Sequence, residues 1–146
     1  MGFFSKNPID KEKAAIIVDA IRQAEKNTSG EVRVHAEFHC KGDAVKRAVE
    51  IFEKLEMHKT DLRNGVLIYV AVSDHVFAII GDEGINSKVP ENFWNEVKDE
   101  MANHFKNKQL IEGITYGVLQ AGEKLKTFFP YQGEDKNELN DELSFG

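Results

Sequence analysis

Five carboxylate or amide side chains stand in three short polar stretches of this 146-residue chain. Glu31 follows Thr28-Ser29-Gly30, Asp61 and Asn64 lie in Thr60-Asp61-Leu62-Arg63-Asn64-Gly65, and Asp82 and Glu83 lie in Gly81-Asp82-Glu83-Gly84. Carboxylates, amides and the main-chain carbonyls of glycine-containing loops are the ligands of hard cations, and calcium takes about six to eight such oxygens. Carboxylates crowded together without a cation repel one another, which raises some of their pKa values until a cation binds. The same residue types are also ordinary turn formers. Arg63, besides being a candidate anion-binding group, is placed to neutralise Glu31 or Asp82 in an ion pair.

These stretches matter together only if the elements around them bring them together. Asp10 is placed to cap a helix with Ala14, Ile17, Val18, Ile21 and Ala24 on one face. From Glu31 to His39 the chain alternates, with Val32, Val34, Ala36 and Phe38 on one side and Glu31, Arg33, His35, Glu37 and His39 on the other. That pattern predicts a strand with one wet face, near a sheet edge. A second helix starts near Asp43 and buries Ala44, Ala48, Ile51, Phe52 and Leu55. The run Val66 to Val72 is apolar on both faces and predicts a central strand, and Val76 to Ile80 returns as its hairpin partner. Pro90 suits the first turn of a third helix carrying Phe93, Trp94, Val97, Met101 and Phe105. A fourth helix is expected over 110–128, ended by Pro130.

The expected architecture is an α/β/α sandwich: a small mixed sheet, made of a parallel βαβ pair plus a β-hairpin, flanked by about four helices. A strand-helix-strand crossover makes the first two strands parallel, and the hairpin makes the third antiparallel. The start of the first strand, the start of the second and the finish of the third then share one end of the sheet. Glu31, Asp61 to Asn64, and Asp82-Glu83 all fall there.

Composition narrows the function further. Hydrophobic residues make up 41% and charged residues 30% of the chain, which supports a packed globular domain over residues 1–131. The formal charge is -6, of which the segment 132–146 carries -4; this acidic tail is expected to be disordered. No basic stripe exists to neutralise phosphates, so nucleic acid is not an expected partner. Cys40 is the single cysteine, which rules out an intrachain disulfide and a thiolate metal site. No apolar run approaches the ~18 residues of a membrane span, and the N-terminus has no secretory pattern. The expectation is a cytoplasmic monomer. His35 and His39 lie ~13 Å apart on a regular strand, too far to share an ion, and are read as surface histidines.

With Thr28-Ser29-Gly30-Glu31, Thr60 to Leu67, Ile80-Gly81-Asp82 and Phe129-Pro130 in order, the chain resembles the TPM domain family from about Asp10 to Pro130. That family includes a thylakoid-lumen phosphatase-like protein, a photosystem II repair protein and an acetylcholine-receptor modulator. The resemblance implies an α/β/α sandwich with loops gathered at one end of the sheet, binding of calcium or another divalent cation there, and weak acid phosphatase activity in some members. The matching positions are Glu31, Asp61, Arg63, Asn64, Gly81 and Asp82. The chain departs from many members in lacking a signal peptide and a membrane anchor.

Nucleophilic chemistry has little footing. No arginine follows Cys40 at phosphatase-loop spacing, no Asp-x-Asp ends an apolar strand, and no glycine-rich loop carries a phosphate-binding lysine. The favoured reading is therefore a binding module that holds a divalent cation, calcium first with magnesium or zinc as alternatives, through Glu31, Asp61, Asn64, Asp82 and Glu83. The alternative is a metal-dependent acid phosphatase using the same acidic loops, with Arg63 taking the anion. A third reading is an interaction protein whose acidic tail or loop end docks on a protein partner.

Overall fold

The computed structural model describes residues 7–131 and 143–146. Helix α1 (Lys11–Glu25) begins where Asp10 accepts a hydrogen bond from the Lys13 amide at 3.0 Å. Strand β1 (Glu31–Glu37) follows, then helix α2 (Ala44–Lys54), capped in the same way by Asp43 on the Lys46 amide at 2.9 Å. Strands β2 (Gly65–Ala71) and β3 (Val76–Gly81) form the hairpin. Three helices come next: α3 (Glu83–Asn86), α4 (Asn95–Lys106) and α5 (Leu110–Phe128). Strand β4 (Leu143–Phe145) closes the described chain.

The sheet runs β3-β2-β1-β4, with β1 parallel to both β2 and β4 and β2 antiparallel to β3. Helices α1, α4 and α5 cover one face, where Ile17, Ile21, Met101, Ile114, Val118 and Leu125 meet the valines of β1 and β2. Helix α2 covers the other face, packing Ala48, Ile51 and Phe52 on Leu67, Tyr69 and Ala78. The result is the three-layered α/β/α sandwich with a mixed sheet.

The expected parallel pair and hairpin are present, and the sheet gains a fourth strand. The tail expected to be disordered lies mostly outside the described residues, but Leu143–Phe145 pair with β1 in the register Val34↔Leu143 to Ala36↔Phe145. This changes the standing of β1. Its seven residues are all buried, so it is an inner strand without a wet face. The alternation sorts its two faces correctly: Val32, Val34 and Ala36 enter the α1/α4/α5 core, and Glu31, Arg33, His35 and Glu37 share the α2 face. Phe38 falls beyond the strand and is 38% exposed, so it does not join the apolar set.

Four polar residues on a covered strand require partners. Arg47 of α2 grips Glu37 with both edges of its fork, Nε to Oε2 and Nη2 to Oε1, each at 2.9 Å. The Tyr69 hydroxyl donates to the same carboxylate. His35 is a buried residue, 4% exposed, with Nδ1 2.8 Å from the Ser144 hydroxyl and Nε2 3.6 Å from Glu37; it is not the surface histidine expected. Burial lowers its pKa, against the pull of Glu37. His39 does stay at the surface, hydrogen-bonded to Asp74 at 2.9 Å.

The helices differ from expectation at two places. The Gly81-Asp82-Glu83-Gly84 loop turns at once into the single turn of α3, a fifth helix. Pro90 opens a turn, with the Phe93 amide bonded to its carbonyl at 3.1 Å, and α4 begins only at Asn95.

The Arg47 hydrogen bonds, opposed by burial and helped by Tyr69, hold the Glu37 carboxyl at about 2, against an ordinary 4.5. A carboxyl held low stabilises the fold fully above its unfolded value and loses that contribution as pH falls from about 4.5 towards 2. In an urea titration, the wild-type midpoint should therefore drop across that window. Arg47→Met leaves the carboxylate buried without its cation, so it should cost about 2–3 kcal/mol at neutral pH. The variant's loss between pH 5 and pH 3 should shrink or reverse. An unchanged acid-side profile in Arg47→Met would refute this role for the pair.

Candidate functional site

The strand register builds the site. Pairing of Glu31 with Gly65 and of Val66 with Gly81 sets three loop stretches side by side at one end of the sheet. Main-chain hydrogen bonds then lace them together. The Glu31 amide donates to the Asn64 carbonyl (3.4 Å), the Asp82 amide to the Gly65 carbonyl (3.0 Å) and the Gly84 amide to the Arg63 carbonyl (2.9 Å). A fourth segment joins at the finish of α5: the Ser29 amide donates to the Phe129 carbonyl at 2.9 Å, and the Thr28 hydroxyl donates to the same oxygen. The Thr-Ser-Gly and Phe-Pro motifs are thus two halves of one clamp, closed by the Thr28↔Pro130 bridge.

Two glycines are demanded by close approach. A Cβ on Gly84 would stand 2.1 Å from the Leu62 carbonyl oxygen and 2.5 Å from that of Arg63. On Gly30 it would meet the Leu125 side chain at 2.8 Å and the Asn64 carbonyl oxygen at 3.3 Å.

Asp82 is the centre of the polar end. It is 6% exposed, and Arg63 reaches it with two nitrogens, Nε to Oδ2 and Nη2 to Oδ1, both at 2.9 Å. Asp82 Oδ1 also accepts from the Glu83 amide at 2.7 Å and so caps α3. The third guanidinium nitrogen, Nη1, lies 3.0 Å from Glu83 Oε1. The Asp82 bond raises the already high pKa of Arg63. Arg63 makes this reach from a left-handed backbone, at φ 50°, with its side chain 40% exposed. The fork geometry matches a carboxylate edge to edge, which makes this the strongest pair of the loop end.

The other expected residues take different places. Asn64 is 1% exposed; its amide N–H donates to Thr60 Oγ1 at 3.2 Å and its Nδ2 to Ser29 Oγ at 3.4 Å, so it ties two loops. Glu31 is buried at the first position of β1, on the α2 face. Asp61 and Glu83 are exposed on the rim. Arg63, Asp82 and Glu83 are therefore in direct contact, Asn64 and Glu31 join them through the main chain, and Asp61 lies in the same loop as Arg63, exposed on the rim. Among the described residues, no three His, Cys, Asp or Glu side chains are placed so as to enclose a metal ion.

Sequence reasoning missed the neutral hydroxyls, Thr28, Ser29 and Thr60, which bind the loops to one another. The signal for them was their position in the motifs, Thr28 and Ser29 shortly before Glu31 and Thr60 just before Asp61. It also missed the open cleft of about 530 Å³ beside the ion pair, bordered by Arg63 and Asp82 on one side and by Phe52, Glu53 and His58 on the other.

A mixed sheet between helical layers, with a polar end laced from four separate segments, defines the class: an α/β/α domain whose distinctive residues are gathered in loops. The model of the TPM domain matches residues 5–124, and the chain belongs to the TPM domain family. The chain is similar to the BA42 protein of the psychrophilic bacterium Bizionia argentinensis, whose NMR structure it matches with 43% identity and a TM-score of 0.89 over 97% of each chain. The N-terminal domain of a protein from P. gingivalis shares the fold at 13% identity, with a TM-score of 0.65 over 89% of this chain and 82% of that one. So does the N-terminal domain of the cg2496 protein of Corynebacterium glutamicum, at 10% identity and a TM-score of 0.64 over 80% and 74%. No curated protein matches the chain. Among the described residues no helix is long and apolar enough to cross a membrane.

Because the missing Cβ of Gly84 is what lets α3 close on the Arg63 loop, Gly84→Ala should force the two segments apart. The expected cost is about 1–3 kcal/mol, read as a lower urea midpoint. Amide exchange should speed up at Arg63 to Gly65 before it does in α5. A variant as stable as the wild type would show that the loops close by another route.

Proposed function

We propose that the domain binds a divalent cation, calcium ahead of magnesium or zinc, at the loop end of its sheet, and that it works as a binding module. The observation that supports this most is the Asp82 carboxylate, buried yet facing a cationic group that two loops hold in place. The guanidinium of Arg63 occupies the position a cation would want. Because Arg63 is partly exposed and set on a left-handed turn, it can leave without disturbing the strands.

In this reading the cation displaces Arg63 and engages Asp82 and Glu83. Asn64, the nearby loop carbonyls and Glu31 complete a donor set made wholly of oxygen, and Asp61 contributes charge from the rim. Oxygen donors suit calcium better than zinc, which draws on nitrogen and sulfur. A phosphate-monoester hydrolase at the same place would need an arginine nitrogen for the phosphoryl oxygens. Arg63 released by the cation would supply one, but the sequence holds no nucleophile for the phosphorus: no phosphatase loop follows Cys40 and no Asp-x-Asp ends an apolar strand. The binding reading is therefore preferred.

Calcium added during amide-resolved NMR should shift Ser29 to Glu31, Asp61 to Gly65 and Gly81 to Gly84 together and saturably. Asp82→Asn keeps a good helix cap, so the fold should persist, while calcium affinity should fall about tenfold or more with the lost charge. Shifts confined to residues from Gln132 onward would mean counter-ion condensation on the acidic tail, and the proposal would be wrong.

A further inference from the structure

The opposite end of the sheet carries an apolar cavity that takes no part in the loop site. It has a volume of about 250 Å³ and lies where β2 turns towards β3 and α4 gives way to α5. Val70, Val72 and Val76 form one wall, and Phe105 and Leu110 form the other. Phe105 is held in place by an edge-to-face contact with Phe77, at 5.0 Å between ring centroids.

Ala71 and two nitrogen-bearing side chains, His75 and Lys108, complete the described lining, and it contains no carboxylate. Both are exposed, and both sit on left-handed backbone, at φ 59° and 62°. A side chain larger than glycine is disfavoured in that region, except where its surroundings hold it. Among the described residues neither makes an ion pair. Asp74, next to His75, is turned away to the His39 ring and the Cys40 amide, at 2.9 and 2.6 Å. Asp10 and Glu112 border a separate opening on the far side of Lys108, and neither is within ion-pair distance of it.

We infer that this cavity binds a medium-chain carboxylate. Its tail fills the space between the valines, Phe105 and Leu110, and its head meets the Lys108 ammonium and the His75 ring at the mouth. A neutral apolar ligand would leave Lys108 unmatched, and a short polar anion would leave the interior unfilled. At ~30 Å³ per water-sized group the cavity accepts roughly eight such groups, the size of hexanoate to octanoate. Apolar walls with a few convergent polar groups are the usual form of a small-molecule site. This inference is independent of cation binding at the loop end.

The test is an NMR titration of the full chain with acetate, butyrate, hexanoate, octanoate and decanoate, with 1-octanol as the neutral control. Saturable shifts should appear at Val72, His75, Val76, Phe105 and Lys108. Affinity should rise roughly threefold to fourfold per added methylene up to about octanoate, then level off. Lys108→Asn suits the left-handed backbone and removes the charge. It should weaken octanoate about threefold to fivefold and leave 1-octanol unchanged. Equal affinity for octanoate and octanol, shifts scattered over the surface, or no saturation with any chain length would overturn the inference.

Discussion

Glu31 sits opposite Gly65, and Val66 sits opposite Gly81; nearly every other feature of this domain depends on those two pairings. Because α2 carries the chain back across the sheet, β1 and β2 run the same way and their starts coincide. The short turn after β2 then returns β3 to the same end. Slipping β1 by one residue would turn all its side chains over. Glu37 and His35 would enter the apolar layer beneath α1 and α5, and Glu31 would lose its place beside Asn64. The register therefore sets the core and the polar end with one choice.

Burying a strand with four polar side chains on one face is costly unless each is answered. Glu37 is answered by Arg47 and Tyr69, and His35 by Ser144. These bonds come from α2, β2 and β4, so the face also fixes how three other elements sit against β1. Mispairing would leave several groups buried without partners, a penalty larger than that of a misplaced methyl group. The polar face thus selects one arrangement of the sheet.

Much of this was legible in local pattern. Asp10 and Asp43 announce their helices because a cap acts within three residues. Val66 to Val72 reads as a central strand because both its faces are apolar. Strand directions alone placed Glu31, Asn64 and Asp82 at one end, and Arg63 was already a candidate partner of Asp82. What stayed hidden depends on distant partners. Leu143–Phe145 is three residues in an acidic segment, and its strand character comes from the exposed edge of β1, more than a hundred positions earlier. Without β4, the polar side of β1 looks wet and His35 looks exposed. The single turn of α3 is too short for helical periodicity, and Pro90 is as compatible with the turn it makes as with a helix start.

At the loop end, Arg63 separates a structural reading from a functional one. A guanidinium that only pins α3 to its loop would be lost at a cost in order and with no gain. One that stands in for a cation competes with it, so its removal should free the site. Calorimetric titration of calcium into the wild type and Arg63→Gln therefore bears most directly on the account. The expected result is saturable binding in both, tighter in the variant; weaker binding in Arg63→Gln, or no binding heat in either protein, would contradict it.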